Sequence, residues 1–352
     1  MSSVHPWLQL AAEKGASDIF IGARRCISFK IDGKIEKQGE PISVADAESM
    51  VRELFEAAKR PIEKFLETGD DDFPVTIPSA ARFRVCTYRQ RGSMAAIIRV
   101  VLFNLPNYRD INITDDVMSI ASERNGLVLV TGAAGSGKTT TLACIINAIN
   151  NSRNAHIITL EDPIEFLHKD IKCIVSQREV STDTESYLTA LRACMRQAPD
   201  IILLGEMRDH ETIRTAMTAA ETGHLVISTL HTTGVVNTVD RIIDVFPSNQ
   251  QQQIRLQLSM VLHGVVSQHL LPSKNGGLIP AFEIMRPNTA IRNLIRESKI
   301  HQIDGVIQTS RADGMITMDT SLFDLFQAGH ITKESAVFYA SNPVAMSKRV
   351  GM

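Results

Sequence analysis

The chain has 352 residues, 44% hydrophobic and 22% charged, with a formal net charge of −2 at pH 7. That length favours two domains over one, and the near-neutral balance excludes a protein that coats nucleic acid or other polyanions through bulk charge. Five scattered cysteines without a C-x-x-C pair argue against a disulfide framework or a zinc site, and no signal-like N-terminus and no apolar run of membrane-spanning length is present, so any membrane association is expected to be peripheral.

Pro6–Lys14 reads as a short helix with Trp7, Leu8 and Ala11 on one side. Asp18–Ile21 and Ser28–Ile31 read as strands, the second running into an Asp32-Gly33 turn, a hairpin signal. Ser43 is placed to cap a helix from Val44 to about Ala58, and Pro61–Leu66 starts another. Arg82–Tyr88 and Ala95–Val101 are expected strands joined by a turn at Gln90–Ser93. Phe103–Arg109, with Pro106 and two asparagines, is the expected linker. The reading is therefore α/β: a mixed N-terminal domain over 1–102, a hinge over 103–112, and a second domain over 113–352.

In the second domain strands alternate with helices, which predicts a doubly wound parallel sheet. The expected strands are Gly126–Thr131, His156–Leu160, Asp200–Gly205 and Leu225–Leu230, with helices at Glu185–Arg196 and His210–Glu221. Val236–Phe246 and Gln250–Val266 are amphipathic, and about 275–352 is expected to be a mostly helical extension.

Between the first of those strands and an amphipathic helix carrying Leu142, Ile145, Ile146 and Ile149 stands Gly-Ala-Ala-Gly-Ser-Gly-Lys-Thr, a complete phosphate-binding loop. Gly132, Gly135 and Gly137 let backbone N–H groups turn inward, and the helix that begins near Lys138 adds the positive end of its dipole. Lys138 places a cation at the β- and γ-phosphates, and the Thr139 hydroxyl can ligate Mg²⁺. The expected ATP contacts run through Gly132, Ala133, Ala134, Gly135, Ser136, Gly137, Lys138, Thr139 and Thr140. The alternative is a glycine-rich turn that binds nothing.

Hydrolysis further needs acids at strand ends to hold Mg²⁺ and orient water. Glu161 follows one predicted strand, and Glu206 follows another in a segment of Walker B form, with glutamate in place of aspartate. Glu165 and Asp209 could simply cap the helices after them. His231 at the end of a further strand can donate to a γ-phosphate, whereas a lone histidine more often packs and bonds to backbone; His224 at the other end is open between these readings.

The segments GAAGSGKT, ITLEDPIEF, PDIILLGEMRD and TAAETGHLVISTLHT occur in this order in the secretion ATPases, the RecA-like hexamers of type II secretion, type IV pili and type IV secretion (GspE/PilT). The chain resembles that family from about residue 8 to 328. Within the family it resembles the PilT/PilU group of pilus-retraction (twitching-motility) ATPases. Its N-terminal region is short and starts with an EKGASD-like segment, no tetracysteine module is present, and Ala290–Glu297 reads AIRNLIRE.

The resemblance implies a PAS-like N-terminal domain, a RecA-like ATPase domain, and ATP with Mg²⁺ as ligands. It also implies a homohexamer at the cytoplasmic face of the inner membrane. The implied partners are the platform protein, the pilus machinery and, as a further candidate, a paralogous motor; no nucleic acid and no zinc are expected. Residue by residue, it implies phosphates and Mg²⁺ at Lys138 and Thr139, water polarisation by Glu161, a Walker B role for Glu206 (Mg²⁺ partly through water) and γ-phosphate sensing by His231. The division of work between the two acids is open.

Two departures stand out. Ala133-Ala134 replaces the usual Pro-Thr, and Ser17–Phe29 lacks the prolines often found there. The stretch QREVSTDTESYLTALRACMRQAPD is PilU-like whereas AIRNLIRE is PilT-like, so the paralogue is open.

Arg82 and Arg84 share one face of a predicted strand and can serve phosphates in trans; the alternative is ion pairing with Asp70–Asp72. Ile291, Leu294 and Ile295 cover one side of the helix over Ala290–Glu297, and Arg292, Asn293, Arg296 and Glu297 line the other. The resemblance suggests that this polar side meets the pilus machine or a neighbouring subunit. Assembly and secretion ATPases are rivals within the family. A DNA translocase or helicase would need a basic, aromatic channel, which 5% aromatics do not favour. A regulatory ATP-binding module is disfavoured by the intact Glu161 and Glu206.

Overall fold

The computed structural model describes residues 3–31, 33–77, 81–101 and 105–351. Asp32 of the expected turn and Phe103 and Asn104 of the expected linker lie outside these described residues. The chain forms two compact units, Met1–Asn104 with Glu165–Leu167, and Leu105–Ile164 with His168–Met352.

The first unit comprises α1 (His5–Glu13), β1 (Asp18–Gly22), β2 (Ile27–Ile31), β3 (Lys34–Gln38), α2 (Val44–Ala57), α3 (Glu63–Thr68), β4 (Asp70–Ile77), β5 (Ala81–Gln90) and β6 (Ser93–Val101). The strands make an antiparallel sheet in the order β3-β2-β1-β6-β5-β4. Leu8, Ile19, Phe29, Met50, Leu54, Phe65, Phe83 and Ile98 form its dry core. Ser43 caps α2 in a capping box with Asp46. β3 and β4 were absent from the sequence reading. One carries three charges in five mostly exposed residues, and the other opens on three acids and contains Pro74. Both are sheet edges, where charge and a missing N–H are tolerated.

The second unit is built around the expected doubly wound sheet. Its strands are β7 (Gly126–Thr131), β8 (His156–Glu161), β9 (Ile174–Glu179), β10 (Ile201–Leu204), β11 (Leu225–Leu230), β12 (Leu262–Pro272) and β13 (Leu278–Met285). Their order is β13-β12-β7-β11-β10-β8-β9, with only the β12–β13 pair antiparallel. After the short α4 (Asp115–Met118) come α5 (Lys138–Ser152), α6 (Tyr187–Cys194), α7 (His210–Glu221), α8 (Val235–Asp244), α9 (Ser248–Val261), α10 (Thr289–Arg296), α11 (Ile303–Thr309), α12 (Met318–Gln327), α13 (Lys333–Tyr339) and α14 (Pro343–Arg349).

Alternation along the strands divides the core. Leu127, Leu129, Ile158, Leu160, Ile202 and Val226 face α6 to α11, while Val128, Val130, Ile157, Leu203 and Ile227 face α4 and α5. A smaller cluster joins Leu271, Ile279 and Ala281 to α12, α13 and α14.

The sheet holds three strands that the sequence reading passed over. The amphipathic segment read over Gln250–Val266 is divided: α9 stops at Val261 and β12 begins at Leu262. β12 is buried on both faces, so no alternation marks it. β13 interrupts the expected helical extension, and β9 is a partly exposed edge with a weak apolar signal. Among the described residues no helix is long and apolar enough to cross a membrane.

Candidate nucleotide-binding site

The phosphate loop leaves β7 at Thr131 and enters α5 at Lys138. Gly132, Gly135 and Gly137 take φ of 145°, 76° and 86°, a region that ordinary side chains adopt rarely and at a cost. Space enforces the same choice: a Cβ on Gly132 would come within 2.4 Å of the Gln268 carbonyl oxygen and 2.6 Å of Ser136 Oγ. Lys138 is buried, and its Nζ donates to the carbonyl oxygens of Gly132 and Ala133 at 2.8 Å each. Ala133, Ala134 and Gly135 are exposed, Thr139 and Thr140 half-buried. The buried Ser136 Oγ has no hydrogen-bond partner among the described residues.

Strand register sets the remaining groups on the same rim. Thr131 pairs with Leu230, Leu204 with Ser228, and Leu160 with Leu204. The phosphate loop, His231, Glu206 and Glu161 therefore leave four adjacent strands, β7, β11, β10 and β8, at their C-terminal ends. With roughly 4.8 Å between strands, the backbone at Glu206 stands about 10 Å from β7 and that at Glu161 about 15 Å.

The two acids are prepared differently. Glu161 Oε1 accepts from Thr159 Oγ1 at 2.6 Å and from Gln177 Nε2 at 3.1 Å. Glu206 Oε1 lies 2.6 Å from Arg208 Nη2. Its buried Oε2 has no hydrogen bond among the described residues, and His231 Nε2 stands 3.6 Å away. A buried carboxylate oxygen without a protein donor is free to accept a hydrogen bond from water or ligand.

Tyr187 and Arg208 are site residues that the sequence reading missed. The Tyr187 hydroxyl would lie 2.7 Å from a Cβ on Gly205. Burial first, and then the charges of Glu206, Asp162 and Glu161, push its pKa up, so the phenol stays protonated beside the acids. No local pattern marks it, because its neighbours come from segments distant from it in sequence. Arg208 was visible inside the Walker B segment, but its pairing with Glu206 required coordinates.

Asp209 is the N-cap of α7, its Oδ1 accepting from Thr212 N at 2.8 Å. His224 stands before β11, at the opposite end from His231, with Nδ1 2.9 Å from the Ala219 carbonyl oxygen. Glu165 is exposed. Arg82 and Arg84 lie on β5 in the first unit, alternating with the buried Phe83 and Val85, and Arg84 Nε bonds Asp72 Oδ2 at 3.0 Å. On α10, Ile291 and Ile295 are buried, while Asn293, Arg296 and Glu297 are exposed and Ala290 lies in the first turn. Leu294 is half-buried. Arg292 turns inward, its Nη1 donating to the Met260 carbonyl oxygen of α9 at 2.9 Å.

Residues 1–312 match the family of type II/IV secretion system proteins. The chain belongs to that family, the secretion ATPases. It is 42% identical over 331 residues to the type IV pilus retraction ATPase PilT of Pseudomonas aeruginosa, covering 94% of this chain and 95% of that one. It is 44% identical over 321 residues to a twitching motility protein of Neisseria gonorrhoeae, covering 91% and 85%. A crystal structure of the pilus retraction motor PilT with bound ADP superposes with a TM-score of 0.92 at 41% identity, covering 99% of this chain and 100% of that one.

Proposed function

We propose that this chain is the Mg²⁺-dependent ATPase motor of type IV pilus retraction, working as a homohexameric ring against the platform protein of the inner membrane. One observation carries the reading: a phosphate loop and two buried carboxylates share a single sheet rim, in a chain alike over nearly its whole length to retraction motors. The loop amides and Lys138 hold the phosphates, Lys138 exchanging its carbonyl partners for phosphate oxygens. Thr139 and, through water, Glu206 would hold Mg²⁺, which would supply charge neutralisation at the phosphates. Glu161, its Oε1 steadied by Thr159 and Gln177, orients the attacking water. His231, 3.6 Å from Glu206, reports loss of the γ-phosphate to the segment that follows it. The exposed polar face of α10, with Asn293, Arg296 and Glu297, is the surface offered to the pilus machine or to a neighbouring subunit.

The test joins enzymology to phenotype. Lys138→Ala is expected to lower ATP turnover at least a hundredfold while the ring still forms by light scattering. A deletion strain is expected to carry excess pili and fail to twitch. Turnover near wild type in Lys138→Ala would discard the site; bald cells would assign the motor to assembly.

A further inference from the structure

Gln268 lies on β12, the strand flanking β7 on the side away from the acids. Register pairs Ser267 with Thr131, so Gln268 stands level with the start of the phosphate loop. It is 3% exposed, and a buried amide is costly unless its polar atoms are used. Oε1 accepts from the buried Thr141 Oγ1 at 2.8 Å, which ties β12 to the first turn of α5. Nε2 is turned to the loop's other end, 2.9 Å from where a Cβ on Gly137 would sit, and the Gln268 carbonyl oxygen crowds Gly132. Both ends of the loop therefore rest on one residue remote from it in sequence.

We infer that Gln268, through its bond to Thr141, is a positioning residue that holds Gly132–Gly137 in the phosphate-cradling conformation. This rests on the phosphate-loop reading above and adds a residue that touches the loop from below. Loop amides bind phosphate only while several N–H vectors converge, so loosening the floor weakens binding before it changes the chemistry. A residue that only fills the core would shift the melting temperature without separating KM from kcat.

The experiment uses the full chain, fluorescent ADP for affinity and steady-state ATPase for KM and kcat. Thr141→Val removes the hydroxyl donor at nearly constant shape, Thr141→Ser retains it, and Gln268→Leu removes the acceptor. Expected is a five- to tenfold rise in ADP Kd and ATP KM for Thr141→Val, with kcat within twofold and Thr141→Ser close to wild type. Combining Thr141→Val with Gln268→Leu should cost no more than Gln268→Leu alone, because one interaction cannot be lost twice. Unchanged Kd and KM in Thr141→Val, or a fall in kcat alone, overturns the inference. Lys138→Ala separates the two levels: if it binds ADP as wild type does, the site reading fails, whereas lost binding there beside intact binding in Thr141→Val sinks this inference only.

Discussion

Glu283 on β13 shows what a single buried carboxyl does in this fold. It is 6% exposed, and its Oε2 accepts from Val235 N at 2.8 Å, where α8 begins after the His231 segment. Burial, with Asp304 and Asp319 nearby, pushes its pKa up to about 7 from an ordinary 4.5, against the pull of the donated N–H groups of Val235 and Met318. The folded state thus holds this proton more tightly than the unfolded chain. The stability it contributes is whole below the unfolded pKa of 4.5 and is lost as pH rises through about 7. Glu283→Gln removes that titration. Relative to wild type, the variant should gain stability between pH 5 and 8, on the order of 2 kcal/mol, in urea midpoints compared at several pH values. A difference that stays constant with pH would show that the carboxyl does not titrate in this window. Chemistry at this scale was legible only where it imposes local spacing. Phosphate binding demands glycines and a lysine in a fixed order, so Gly132–Thr139 announced itself. Glu283, Gln268 and Tyr187 take their roles from neighbours on elements distant in sequence, and no window of sequence contains those neighbours.

Among the elements, helices bounded by caps were the most readable. α7 was predicted as His210–Glu221 and is found there, because Asp209 offers its carboxylate to Thr212 N and Thr212 Oγ1 at 2.8 and 2.7 Å. This cap stands three residues after Glu206, so it also anchors the end of the Walker B segment. Asp209→Ala should cost about 1 kcal/mol in unfolding free energy, and Asp209→Asn should recover most of it. Equal losses in both variants would point to a charge effect in place of the cap. Strands with two buried faces were readable at β7, β8, β10 and β11, but not at β12. β12 carries Ser267, whose Oγ accepts from Gly234 N at 2.9 Å, as well as Gln268 under the phosphate loop. It looked like the tail of a helix because its apolar run lacks alternation. The same absence marks β7, yet there the glycine loop gives the strand away.

At the scale of the whole molecule, each unit has its own hydrophobic clusters among the described residues, around Phe29, Phe65 and Phe83 in the first and on both faces of the seven-stranded sheet in the second. Each unit closes its own sheet within its own stretch of chain, apart from the short Glu165–Leu167 segment that groups with the first. Separate cores predict separate melting. Differential scanning calorimetry should resolve two transitions, and ADP should act on them unequally, because Gly132–Thr139, Gln268 and both acids belong to the second unit. A ligand at a hundred times its Kd stabilises the state that binds it by about 2.7 kcal/mol. For a unit of this size that raises the melting temperature by roughly 5–10 °C. The larger, second-unit transition should therefore climb while the smaller one stays in place, and Lys138→Ala should abolish the climb without moving either baseline transition by more than a few degrees. A single transition that shifts as a whole with ADP would show that the two cores unfold as one, and the division at residues 104–105 would then be a feature of shape alone.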